Sequence, residues 1–101
     1  MKLEYSGFEW DQGNAGKNLQ KHEVSCEEAE EVFQEKPVVF PDERHSTEEE
    51  KRYILFGETM ANRFLFVAFT IRDKKVRVIS ARPMSRKERG WYVQEKEKTE
   101  L

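Results

Sequence analysis

The sequence predicts an α+β domain in two layers, with an antiparallel sheet of three or four strands packed against two N-terminal helices and a C-terminal helix. Three observations carry that expectation. Hydrophobic periodicity runs from a short alternating stretch to two helical stretches, then to several strand-like ones, and back to a helix. Two capping boxes, Ser25-Cys-Glu-Glu28 and Ser85-Arg-Lys-Glu88, place a serine three residues before a glutamate, so that each satisfies a free backbone donor of the other. The run Arg63-Phe-Leu-Phe-Val-Ala-Phe-Thr70 is apolar on both parities, as expected of a central strand covered on both faces.

Taken in order, residues 3–10 predict a strand in which Phe8 and Trp10 alternate with Glu9. Asp11 follows as an N-cap, and residues 12–22 form a short helix with Ala15, Leu19 and His22 on its inner face. Ser25 opens a second helix over 26–35, turning Ala29, Val32 and Phe33 inward and its glutamates outward. Pro37 cannot continue that helix and directs the chain into the strand Val38-Val39-Phe40. A polar loop over 41–47 precedes the strand Tyr53-Ile-Leu-Phe56. The strand at 63–70 turns through Arg72-Asp-Lys-Lys75 into a partner, Val76 to Arg82, stopped by Pro83. The last helix carries Trp91 and Tyr92, which are expected to dock it to the sheet, while Trp10 belongs to the core. Residues 95–101 hold too few apolar side chains to dock and are expected to fray.

At 101 residues the chain is expected to be one domain spanning 1–101. It contains no run of 18 apolar residues, which excludes a membrane-spanning helix. The opening MKLEYSGFEWD has no apolar stretch of the signal-peptide kind. Cys26 stands alone, so no intrachain disulfide is available and a reducing, cytoplasmic setting fits. One cysteine and two separated histidines give no zinc-ligand spacing, and no phosphate loop or nucleotide fingerprint is present. No metal or cofactor is therefore expected.

The net charge of -2 speaks against a nucleic-acid partner only if charge is evenly spread. It is not. Residues 23–50 are strongly acidic, opposed only by Lys36 and Arg44, whereas residues 72–89 carry Arg72, Lys74, Lys75, Arg77, Arg82, Arg86, Lys87 and Arg89 against Asp73 and Glu88. Such asymmetry predicts a polyanion-facing surface, the alternative being a solvated face that keeps the domain soluble.

Phe8-Glu-Trp-Asp11, Asn18-Leu-Gln-Lys-His22, Val24-Ser25 and Glu27-Glu28-Ala29 resemble the opening of the BrnT family of ribonuclease toxins. Asp42-x-x-His45, Glu50-x-Arg52, Gly57, Phe69-Thr-Ile-Arg72, Ser80-Ala-Arg82 and Glu88-x-x-x-Tyr92 resemble the rest of its pattern, in order. The resemblance covers residues 8–93. It implies a fold similar to the RelE toxins, metal-independent RNA cleavage that arrests translation, and neutralisation by a DNA-binding antitoxin of the BrnA kind, in an assembly with two copies of each. Two positions depart from the pattern. Family members often have a lysine where this chain has Asn14, and many have glycine where it has Glu23.

RNA cleavage through the ribose 2′-OH needs a proton acceptor, cations on the phosphate and a donor to the leaving 5′-oxygen. Arginine suits the phosphate because its planar fork stays charged and binds two oxygens. Arg82 shares strand parity with Val76, Val78 and Ser80, so it reads as a snorkelling rim of the core or as a phosphate clamp. Arg72 has the same two readings. His22 and His45 are the side chains that ordinarily titrate near neutrality, one on an apolar helix face and one in a loop, and Lys21 is a further proton-transfer candidate. Lys17, Lys74, Lys75, Arg77, Arg86, Lys87 and Arg89 are the cations expected along RNA. Glu88 reads as a capping residue, and Glu50 with Arg52 as an ion pair at a strand edge. A non-catalytic RNA- or protein-binding module on the same fold is the competing expectation.

Overall fold

The computed structural model describes residues 3–34 and 36–100, with side chains followed as far as Lys98. Its elements are β1 (Gly7–Phe8), α1 (Gln12–His22), α2 (Cys26–Glu31), β2 (Val38–Pro41), β3 (Arg52–Glu58), β4 (Phe64–Arg72), β5 (Lys75–Pro83) and α3 (Arg86–Glu100). The strands form a single five-stranded sheet in the order β1-β5-β4-β3-β2. All pairs are antiparallel except β1 with β5, which run parallel. The expected three or four antiparallel strands are thus five in a mixed sheet. The extra neighbour is the N-terminal strand, which is far shorter than residues 3–10 but is extended by backbone bonds from Ser6 N–H to the Lys74 carbonyl and from Glu9 N–H to the Val76 carbonyl.

One face of the sheet holds the core. Leu55 of β3, Leu65, Val67 and Phe69 of β4, and Val76, Val78 and Ala81 of β5 are buried against Val24, Ala29, Val32 and Phe33. The ring of Phe33 meets Phe8 and Phe69 edge-on at 5.1 and 5.0 Å, a favoured aromatic geometry. Gly57 lies in the same layer because a Cβ there would come within 2.9 Å of the Val32 carbonyl oxygen, so α2 and β3 approach at backbone distance. Trp10 packs at the edge of this core, as expected, and its indole N–H donates to Glu30 at 2.8 Å.

Alternate residues of the same strands point the other way. There Phe40, Phe56 and Phe64 meet α3. Trp91 contacts Phe40 and Phe56 edge-on, and Tyr92 contacts Phe64. Helices therefore cover both faces of the sheet rather than building two layers. α3 continues through residues 95–100, and Lys96 on it reaches Glu58 at 2.9 Å, a tether that hydropathy does not reveal; Leu101 lies outside the described residues.

The inner face of α1 departs most from the periodic expectation. Leu19 is 56% exposed, whereas Asn14 and Asn18 are buried. The reason lies in β5. Its register against β4 shifts, with Phe69 opposite Val78 but Ala68 opposite Ser80, so Ile79 faces no residue of β4. That is a bulge on the β4 side; on the opposite edge, where the Val76 carbonyl accepts from Glu9 N–H, β5 has no strand partner beyond Phe8. Past the end of short β1, α1 supplies what a strand would have supplied. Asn14 Nδ2 donates to the Val78 carbonyl at 3.2 Å, and Asn18 Oδ1 accepts from Ala81 N–H at 3.0 Å. Asn14 also closes a capping box with Asp11, so this departure from the family pattern has a structural use. Glu23, the second departure, ends α1 in the left-handed region at φ 54°, where glycine would fit without strain. The Arg63 guanidinium holds the strained stop, accepted by the His22 and Glu23 carbonyls and bound to Glu28.

Candidate functional site

The bulge decides where Arg82 goes. Unbroken alternation puts it with Val76 and Val78 over the core, but the extra residue reverses parity beyond Ile79. Arg82 instead shares a face with its cross-strand partner Phe66, and its guanidinium lies 4.0 Å from the centre of that ring. Both guanidinium ends are held by Glu88, at 2.8 and 2.9 Å. Glu88 also closes the expected capping box, accepting from Ser85 N–H while its own N–H donates to Ser85 Oγ. The arginine bonds draw its carboxyl down to about 2.

Phe66 also forms the floor of an open cleft of about 370 Å³ with Ile54 and Ala68, walled by Asp42, Arg44, His45 and Arg52. Strand spacing puts these floor residues together, because Ile54 pairs with Ala68 and both lie on the face of Phe66. His45 comes from the turn after β2. Its Nδ1 lies 2.9 Å from Asp42 Oδ2, a pairing made by the three-residue spacing within the turn. Asp42 is itself fixed by its backbone N–H, which donates to the Arg52 carbonyl. The turn is closed by Ser46, whose hydroxyl accepts from Arg52 N–H and donates to the Asp42 carbonyl.

Glu50 joins two arginines at the near end of β3. It accepts from Arg52 Nε at 3.2 Å and from an Arg72 terminal nitrogen at 2.9 Å. Those bonds, Arg72's foremost, hold its carboxyl below the usual range. Arg72 and Arg82 are thus on one face but not at one point. Phe66, under Arg82, and Arg72 are separated by roughly 20 Å of strand. Arg52, between them, was read from the sequence only as an edge ion pair. The Glu50-x-Arg52 spacing was the available signal, and its meaning depends on β3 lying beside the cleft.

The other sequence candidates fall into three groups. Lys17, Lys21 and His22 are carried by α1, which lies along the edge of β5, and none of them lines the cleft. Arg77 is held by Glu9 and Asp11 at 3.1 and 2.8 Å, which lowers the Asp11 carboxyl and makes this arginine an anchor between β5 and the start of α1. Lys74 and Lys75 are exposed at the β4–β5 turn; Arg86 and Lys87 are exposed on α3, and Arg89 lies over Phe64 at 4.0 Å. Among the described residues no group of three or more His, Cys, Asp or Glu side chains is placed to hold a metal ion. Nor is any described helix long and apolar enough to cross a membrane.

These features define a small mixed-sheet α+β protein with arginines distributed along one sheet face. The sequence model of the family described as "Ribonuclease toxin, BrnT, of type II toxin-antitoxin system" matches residues 10–88, and the chain belongs to that family. The family thereby places it among toxins of systems that pair a toxin with an antitoxin. The fold is similar to the 1.1 Å crystal structure of the Brucella abortus ribonuclease toxin BrnT, with a TM-score of 0.59 and 23% identity, covering 79% of this chain and 97% of that one. No curated protein matches the sequence.

Proposed function

We propose that this chain is an endoribonuclease toxin that cuts RNA through the ribose 2′-OH without a metal ion. The observation that carries the reading is the cleft in which His45, backed by Asp42, stands beside Arg52 and over the ring that supports Arg82. Asp42 binds the Nδ1 side of His45, leaving Nε2 as the free acceptor that a general base requires. In the step, Nε2 takes the 2′-OH proton, the 2′-oxygen bonds to phosphorus, and the P–O5′ bond breaks with a proton from water going to O5′. The products are a 2′,3′-cyclic phosphate and a 5′-OH.

Arg82 and Arg52 stabilise the charge that develops on the phosphate, and Arg72, farther along the face, holds a neighbouring phosphate. This replaces a single site shared by Arg72 and Arg82, given the strand length between them. Lys74, Lys75, Arg86, Lys87 and Arg89 extend the cationic track, whereas Lys17, Lys21 and His22 lie outside it. Membership of a ribonuclease-toxin family supports translation arrest in the cytoplasm as the outcome. A BrnA-like antitoxin neutralises the toxin in an assembly with two copies of each.

Incubation of the purified protein with RNA in EDTA tests the reading. Fragments with cyclic-phosphate and 5′-OH ends are expected, formed about 10²–10³ times more slowly by Arg82→Ala, the loss typical of removing one transition-state donor. Intact RNA, or an Arg82→Ala variant as fast as the unaltered protein, refutes it.

A further inference from the structure

We infer that the cleft beside His45 is a guanine-binding pocket, so that the enzyme selects RNA at guanosine. The inference rests on the ribonuclease reading for its biological use, but its chemistry stands on the cleft alone. At about 370 Å³ the cleft is at the lower end of small-ligand pockets, which suits one nucleotide rather than an oligonucleotide. Its floor of Ile54, Phe66 and Ala68 is apolar and flat, as needed to receive a base face. The wall is polar and of mixed sign. Asp42 and Arg44 stand on the same turn, and Arg52 faces them from β3.

That combination discriminates among bases. A carboxylate has about four lone-pair sites, and Asp42 uses one of them for His45. Guanine presents two adjacent donors, N1–H and N2–H, for the remainder. Its other edge presents O6 and N7, the acceptor pair that an arginine binds in bidentate fashion. Arg44 is exposed and has no carboxylate within ion-pair distance among the described residues, so its guanidinium is available for that edge. Adenine places an acceptor, N1, where the carboxylate needs a donor. Uracil offers a single donor between two acceptors, and cytosine, although its O2 and N3 form an acceptor pair, offers the carboxylate one donor group rather than two adjacent ones. Only guanine matches both sides of the pocket.

The test is titration of the intact protein with the 3′-monophosphates of guanosine, adenosine, cytidine and uridine, with the 5′-OH ends of RNA digests mapped in parallel. Guanosine 3′-monophosphate is expected to bind about tenfold more tightly than the others, in line with one bidentate contact. Arg44→Gln, an exposed loop change that leaves the fold alone, is expected to remove most of that preference, and Asp42→Asn the rest. Equal affinity for all four nucleotides, or an unchanged preference in both variants, overturns the pocket whether or not RNA is cut. Cut sites scattered evenly over the four bases also overturn it, while leaving the ribonuclease reading intact. A guanosine preference in binding with RNA left whole refutes the ribonuclease reading and supports the pocket.

Discussion

The two faces of the sheet use the same strands in opposite ways. On one face, buried side chains such as Leu65, Val67 and Phe69 pack in an apolar cluster with Val32 and Phe33. On the other face, aromatic rings serve as supports for charge: Arg82 lies over Phe66, and Arg89 over Phe64. The first face loses most by losing volume. The second combines aromatic packing under α3 with charged groups whose identity matters. In a chain with 38% charged residues, the second face both docks a helix on aromatic rings and holds charge over them.

Substitutions that separate the faces sharpen this contrast. Phe69→Ala is expected to cost about 3–5 kcal/mol in urea denaturation, because it opens a cavity where Phe33 and Tyr53 meet. A loss below 1 kcal/mol means that the core is not on that face. His45→Ala, on the exposed turn, is expected to slow RNA cleavage by about 10²–10⁴ with an unchanged denaturation midpoint. A shift in the midpoint assigns His45 a structural role instead. Asn18→Ala leaves the Ala81 N–H buried without its acceptor and is expected to cost about 1–3 kcal/mol. If the variant is as stable as the unaltered protein, the open edge of β5 is satisfied in some other way.

The smallest effect is in acid. Glu88 has its carboxyl drawn down by Arg82 from 4.5 to about 2, so its contribution to stability is complete above the unfolded value. It fades as pH falls from about 4.5 through about 2, where the folded carboxylate finally protonates. Glu88→Gln is therefore expected to lower stability most at neutral pH, where the pair is fully formed, with the difference between the two proteins closing as pH falls from about 4.5 to about 2. An identical acid limb in the two proteins shows that the Arg82 pair contributes nothing to folding.

By itself, the sequence determined the elements that depend on local chemistry. Ser25 with Glu28 and Ser85 with Glu88 cap helices as their spacing requires. The apolar run at 64–71 becomes the central strand, and Asp42 and His45 pair because they share one turn. Arg72 and Arg82 were legible as candidates from their motifs, though not their separation. Tertiary structure decided the rest. The N-terminal strand joined β5 because an edge was open to it, and α3 took the face opposite the other helices. Asn14 and Asn18, which no hydrophobic pattern marks as core, were buried by backbone groups on the edge of β5 that short β1 leaves open. The extra residue in the bulge, Ile79, turned Arg82 from the core to the face of Phe66. Side-chain alternation is a property of the strand only while its ladder is regular, and the irregularity is created by two strands meeting.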